Sequence, residues 1–167
     1  MNDEEAVAMY FDAREVLLAS GSGLIARLSA RVRMRWVLNK YPCCSIPLSV
    51  SISPFTAPHG FHGVFISSGA SVGGGCVIFK DVTIGSVTTN GSRYPGAPRI
   101  GDNCVIGSGA RVIGGITVGD GCRIGANCVV CEDVPPNSTV VLEKPRVLVR
   151  NNPMRNGHSS WSEYESR

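Results

Sequence analysis

From Ile66 onward, aliphatic residues recur at every sixth position of this chain. Ile66, Val72, Ile78 and Ile84 keep that step, and after an interruption Ile100, Ile106, Val112, Val118, Ile124 and Val130 resume it without a slip. Four residues after each anchor stand Ala70, Cys76, Val82, Thr88, Cys104, Ala110, Ile116, Cys122, Cys128 and Val134, all small or β-branched. Gly73, Gly85, Gly101, Gly107, Gly119 and Gly125 directly follow anchors. A period of six fits neither a helix, at about 3.6, nor a long alternating strand, at about two. It fits a very short strand followed by a sharp corner. The anchor points inward, a second inward place is narrow and accepts only small side chains, and glycine tolerates the corner. Three such sides close a triangle, and stacked triangles share one ladder and one core. The predicted fold is mainly β, a parallel β-helix.

Residues 1 to about 41 follow a different rule and read as helical. Val7, Tyr10, Phe11, Leu17 and Leu18 fall roughly on one face of a helix from Asp3 to Ser20, with Asn2 or Asp3 as its cap. Gly21-Ser22-Gly23 then breaks the chain. A second helix is marked by Leu24, Leu28, Val32 and Trp36 at steps of four, and its other face carries Arg27, Arg31, Arg33, Arg35 and Lys40. One reading is a basic amphipathic helix lying on a membrane or gripping an anionic partner. The favoured reading is simpler: a helix packed against the main domain, with its charges solvated. The expected organisation is a helical segment over 1–42, the β-helix over 43–147 with a loop over 86–99, and a polar tail over 148–167.

Composition narrows the picture further. At 167 residues there is room for one domain and a short appendage, and 43% apolar with 17% charged residues supplies a core. A net charge of +3 is too small to imply nucleic acid, and no apolar run approaches the roughly 18 residues of a membrane span. The acidic opening Met1-Asn2-Asp3-Glu4-Glu5 is the wrong start for a secretory signal, so a cytoplasmic protein is expected. The seven cysteines do not suggest a disulfide framework. Cys76, Cys104, Cys122 and Cys128 occupy the narrow inward place and read as small core hydrophobes. Cys43, Cys44 and Cys131 lack partners at zinc-like spacing, and no metal is expected.

The period breaks twice, and such breaks are where function is usually grafted onto a repeat. Ile52 to Ile66 is fourteen residues, two more than two repeats need, with the surplus in Pro58-His59-Gly60-Phe61-His62-Gly63. Ile84 to Ile100 is sixteen, which places four extra residues between Thr88 and Pro98. Asn90-Gly91-Ser92 and Pro95-Gly96 make that segment a loop.

Over residues 43–147 the pattern resembles the hexapeptide-repeat acyltransferases. Four stretches are similar to the serine O-acetyltransferases and their shorter relatives that acetylate sugars. They are Gly63-Val64-Phe65-Ile66, Val82-Thr83-Ile84-Gly85, Gly96-Ala97-Pro98-Arg99-Ile100-Gly101-Asp102-Asn103, and Ile124-Gly125-Ala126-Asn127 leading to Asp133-Val134-Pro135-Pro136. The resemblance implies a left-handed β-helix, a homotrimer, and acetyl-CoA (coenzyme A) as acyl donor. It makes His59 the general base for the acceptor hydroxyl, with His62 as the reserve, since an imidazole with an ordinary pKa of about 6.5 can take that proton. His62, Phe61 and Tyr94 are expected at the acceptor. Gly85, Ser86, Ser108 and Ala126 match the pantetheine slot, and Arg111, Lys144 and Arg146 are the cations available for the phosphates.

Departures from the family pattern set the expected acceptor. Serine acetyltransferases carry an Asp-His pair in the first region and a histidine in the loop, whereas here Pro58 precedes His59 and Tyr94 stands in the loop. Their docking tail for cysteine synthase ends in isoleucine, and this chain ends in Arg167, so no stable cysteine synthase complex is expected. A sugar hydroxyl, free or within a glycan, is therefore the leading expectation. L-Serine as acceptor and a non-catalytic hexapeptide scaffold are the alternatives.

Overall fold

The computed structural model describes residues 1–149. The expected polar tail, with His158, Trp161 and Tyr164, lies outside the described residues from position 150 on.

Two helices come first: α1, Asp3–Leu18, and α2, Leu24–Lys40. Short parallel strands then build three sheets of four. The first sheet holds β2 (Phe65–Ile66), β5 (Thr83–Gly85), β8 (Arg111–Ile113) and β11 (Val129–Val130). The second holds β1 (Ser51–Ile52), β3 (Ser71–Val72), β6 (Arg99–Ile100) and β9 (Thr117–Val118). The third holds β4 (Val77–Ile78), β7 (Val105–Ile106), β10 (Arg123–Ile124) and β12 (Thr139–Val140). From β2 to β11 the chain visits the first, second and third sheets in turn, which is the three-sided β-helix the period demands. Before β12 a single bridge from Val134 to Val118 takes the place of a second-sheet strand.

The register stacks anchor on anchor. Ile66, Ile84, Val112 and Val130 pair in sequence, as do Val72, Ile100 and Val118, and Ile78, Ile106 and Ile124. All ten anchors are at most 4% exposed, so each shields its neighbours above and below. The companion positions are buried too, with Thr88 the one exception. Thr88 lies exposed in the loop rather than inside a coil, because the extra residues have carried it off the repeat. Ile116 fills its inward place with a full-sized side chain, so that place is not restricted to small residues. The four cysteines expected inside are there. Cys76 Sγ lies 3.2 Å from Gly101 O, Cys104 Sγ 3.2 Å from Gly119 O, and Cys122 Sγ 3.0 Å from Pro135 O.

The glycines do a different job from the expected one. Those that follow anchors are not the left-handed residues of the corners. They sit where one coil presses on the next: a Cβ on Gly107 would lie 2.7 Å from Ala126 N, and one on Gly119 would lie 2.5 Å from Pro136 N. The left-handed place is three residues after the anchor, where Gly75, Asp81, Asn103, Gly109, Gly121 and Asn127 have positive φ. Glycine, asparagine and aspartate are the residues that tolerate that conformation best.

The helices cap the first coil. Asn2 and Glu5 form a reciprocal capping box, and α1 stops at Leu18, short of Ser20. Its buried face is Val7, Tyr10, Phe11, Ala13, Arg14 and Leu17, while Leu18 faces out. Tyr10 donates to Ile46 O at 3.1 Å, and Arg14 donates to the carbonyls of Pro47 and Val50. These bonds satisfy carbonyls of the first coil. The second helix departs from expectation. Its buried residues are Ala30, Met34 and Val37, and it packs against α1. Leu24, Leu28, Val32 and Trp36, expected to face the main domain, are between 53% and 82% exposed.

Candidate functional site

Each edge of the prism is a stack of corners, and the two breaks in the period fall on two different edges. The edge between the third and first sheets carries residues 57–64, 79–82, 107–110 and 125–128. A column of backbone hydrogen bonds ties it together. Asp81 N donates to His62 O at 2.8 Å, Gly109 N to Lys80 O at 3.0 Å, and Asn127 N to Ser108 O at 2.9 Å. His62, Lys80, Ser108 and Asn127 thus mark successive coils along one line.

The first of these corners is the enlarged one, and the helices brace it. Phe61 is wholly buried among Tyr10, Phe11, Tyr41 and Phe55, with ring centroids 5.0 to 6.4 Å away. The expected contact between Phe61 and an acceptor is thereby corrected: this side chain anchors the corner from below. Gly60 has a positive φ, and a Cβ there would fall 2.4 Å from the Tyr41 hydroxyl oxygen, so the corner lies directly on that ring. Tyr41 donates to Asp3 Oδ1 at 2.7 Å, and Lys40 Nζ reaches the same oxygen at 2.7 Å. Burial, then the hydrogen bond to Asp3, raises the Tyr41 pKa, and the bonds from Lys40 and Tyr41 lower that of Asp3.

With Phe61 held inside, His59 and His62 stand exposed on either side of it. The His59 ring lies 5.9 Å from Phe79 of the next coil, and the His62 ring meets Tyr41 edge-on at 4.8 Å. Among the described residues no carboxylate hydrogen-bonds either imidazole. That matches the absence of an acid beside His59 in the sequence.

The second break lies on the edge between the first and second sheets. Val87 and Gly96 exchange two backbone hydrogen bonds of 2.8 Å, closing the loop on itself. Tyr94 O accepts from Gly115 N at 3.0 Å, and the Arg93 guanidinium sits 5.2 Å from the centre of the Tyr94 ring. A Cβ on Gly115 would lie 2.2 Å from Pro95 O, so that glycine lets the loop lie flat on the coil below. Val87, Tyr94, Ile113 and Cys131 line a shallow pocket of about 190 Å³ beside it. Gly85 is buried at the end of β5, and Ser86 Oγ is 2.8 Å from Ser67 Oγ.

The expected site residues therefore divide. His59, His62, Ser108 and Ala126 share one edge, with Arg111 beside them donating to Gly109 O at 3.1 Å. Gly85, Ser86 and Tyr94 share the other edge, at the opposite ends of the first sheet's strands. Lys144 and Arg146 are exposed beyond β12 and belong to neither edge. A single chain does not bring the two groups together. Sequence reasoning passed over Arg93, the one cation between Ser86 and Pro98, whose signal was its place beside Tyr94 in the loop. It also passed over Asp3 and Tyr41, which no local motif ties to the histidines.

Known proteins share this architecture. Residues 97–132 match the model of the bacterial transferase hexapeptide (six repeats). In fold and repeat the chain is similar to hexapeptide-repeat proteins of the serine acetyltransferase type. Serine acetyltransferase 1 of Entamoeba histolytica, solved in complex with L-cysteine, is 35% identical over 83% of this chain and 51% of its own, with a TM-score of 0.60. The Neisseria gonorrhoeae enzyme in complex with serine is 28% identical over 84% of this chain and 55% of its own, at 0.60. Soybean serine acetyltransferase complexed with serine is 29% identical over 86% and 56%, also at 0.60. The chain spans just over half the length of these relatives. No curated protein matches it.

Proposed function

We propose that the protein is an acetyl-CoA-dependent O-acetyltransferase with L-serine as its acceptor, acting as a homotrimer. The observation that carries the reading is the pair of exposed histidines at the enlarged corner of a β-helix similar to serine acetyltransferases. Likeness to relatives solved with serine or cysteine favours L-serine over the sugar hydroxyl expected above.

In this mechanism the serine hydroxyl attacks the thioester carbonyl. His59 takes the hydroxyl proton as the C–O bond forms, the tetrahedral intermediate collapses with loss of the C–S bond, and the coenzyme A thiolate recovers a proton. His62 borders the acceptor on the Tyr41 side. An amino-acid acceptor brings a carboxylate, for which Arg93 is the cation of the loop. Gly85, Ser86, Ser108 and Ala126 form the pantetheine slot once a neighbouring copy sets its loop edge against the histidine edge, and Arg111, Lys144 and Arg146 serve the phosphates. The division of these residues between two edges is what supports a trimer.

Release of the coenzyme A thiol from acetyl-CoA, followed in the presence of L-serine, tests the reading. Serine-dependent release is the expected result. Release with sugars and none with serine would return the acceptor to the first expectation. Failure to bind coenzyme A would make the protein a scaffold.

A further inference from the structure

Helix α2 presents a continuous apolar surface to solvent. Leu24, Ile25, Leu28, Val32 and Trp36 are 82%, 86%, 60%, 63% and 53% exposed. At about 100° per residue they span roughly 120° of the helix, along a rod about 25 Å long. Isolated exposed apolar residues need no explanation, but five on one face of one helix do. The helix has four arginines and a lysine and not one acid. Arg31 and Arg35 are exposed along one border of the stripe, and beyond them the apolar surface continues as a shallow groove lined by Leu17, Met34, Leu38 and Leu48. Arg27 and Arg33 are half-buried, and only Lys40 has an acidic partner among the described residues.

We infer that this face of α2 docks on an anionic lipid surface, with the stripe entering the headgroup boundary and the arginines taking lipid phosphates. Three features favour a bilayer over another copy of the chain. Two α2 faces laid together would oppose surfaces that each carry cations and no acid, which is repulsive. The stripe is open to solvent along the helix, and a fluid lipid surface covers it without needing a shape-matched partner. Its composition, leucine, isoleucine, valine and tryptophan bordered by arginine, is that of helices lying in the membrane interface. Anionic headgroups complement it, since each arginine near such a surface adds to the attraction within a Debye length. This docking stands independently of the acetyltransferase reading.

Cosedimentation of the full chain with vesicles is the test. Vesicles of phosphatidylglycerol and phosphatidylcholine in equal parts are compared with phosphatidylcholine alone. Binding to the anionic vesicles, weakened by salt and at least about tenfold weaker on neutral ones, is expected. The double variants Leu28→Glu/Val32→Glu and Arg31→Gln/Arg35→Gln change only exposed side chains, so they should fold. Each should lower anionic binding by about tenfold or more. In a Trp161→Phe chain, Trp36 emission should shift to the blue with anionic vesicles alone. Absent binding, equal binding to neutral vesicles, or binding unchanged in both double variants would overturn the inference. So would a Trp36 already shielded from quencher without lipid, in a particle whose mass drops in the Leu28→Glu/Val32→Glu variant, for the stripe would then belong to a second copy.

Discussion

The coils and the helical pair are both written in recurring apolar positions, yet the recurrence means opposite things in the two. In the coils the step of six lands on side chains at most 4% exposed. In α2 the step of four lands on side chains at least 53% exposed. The difference is one of closure. A coil turns through three sides and meets itself, so an inward residue is buried by the same repeat that placed it there. A helix buries only the face on which another element lies. In α2 that face is Ala30, Met34 and Val37, where the small Ala30 allows close approach to α1. Periodicity identifies a face, and only packing says whether it is covered.

The sharpest test of the comparison is the seam where the two regions meet, Pro58 to Gly63. His59 faces a residue of the coils, Phe79, and His62 faces a residue of the helical pair, Tyr41. His59→Ala is expected to lower turnover by roughly 10²–10⁴-fold with little change in donor affinity. His62→Ala should act more mildly, mainly on the acceptor KM. Steady-state release of the coenzyme A thiol measures both. Full turnover in His59→Ala with none in His62→Ala would move the base to the helical side of the seam.

Stability should follow closure in the same way. Ile106→Ala removes an anchor that is 0% exposed and should cost about 2–5 kcal/mol. Leu28→Ala trims an exposed side chain and should stay within about 0.5 kcal/mol. Denaturant unfolding of both variants gives the contrast. Equal losses would mean that the α2 stripe is buried in solution and that the two regions do not differ.

A smaller effect is expected at the second inward place. Cys122→Leu should cost about 1–3 kcal/mol through overpacking, even though Ile116 shows that one coil accommodates a larger side chain there. Burial pushes the Cys104 thiol up to about 11 and the Cys44 thiol up to about 12, so both should resist alkylation near neutral pH. The exposed Cys43 and Cys131 should react first. Mass spectrometry of the native protein after brief labelling decides the order, and early modification of Cys104 or Cys122 would show that the register is wrong.

What the sequence made legible follows from range. The step of six is a local rule that places ten anchors, so the sheets, their register and the buried cysteines could be read from it. The breaks in the step located both histidines and the loop. The corner glycines were misassigned because close approach between coils and a left-handed backbone select the same residue, and only coordinates separate the two causes. Phe61 was misread because the aromatic cluster that buries it comes from Tyr10, Phe11 and Tyr41, up to 51 positions away. The separation of the site residues onto two edges was hidden as well, since a corner's edge depends on which sheet each strand joins.

The smallest expected effect concerns the contact that fastens the helices to the histidine corner. Asp3 Oδ1 accepts from both Lys40 and Tyr41, and these bonds hold its carboxyl below the ordinary aspartate value. A carboxyl with a lowered folded-state pKa stabilises the folded form above its unfolded value, about 3.9, and loses that contribution as pH falls through the folded value. Tyr41 is shifted upward, chiefly by burial, and stays a neutral donor throughout that range. The wild type should therefore lose stability below about pH 4 more steeply than Asp3→Asn, which has no carboxylate to protonate. Because the ion pair is about one-third exposed, the difference should shrink in high salt. Thermal unfolding at pH 5 and pH 3, with and without added salt, provides the measurement. Parallel losses in the two proteins would mean that another carboxylate controls the acid response, and that Tyr41 is held against the corner by packing with Phe61 and His62 alone.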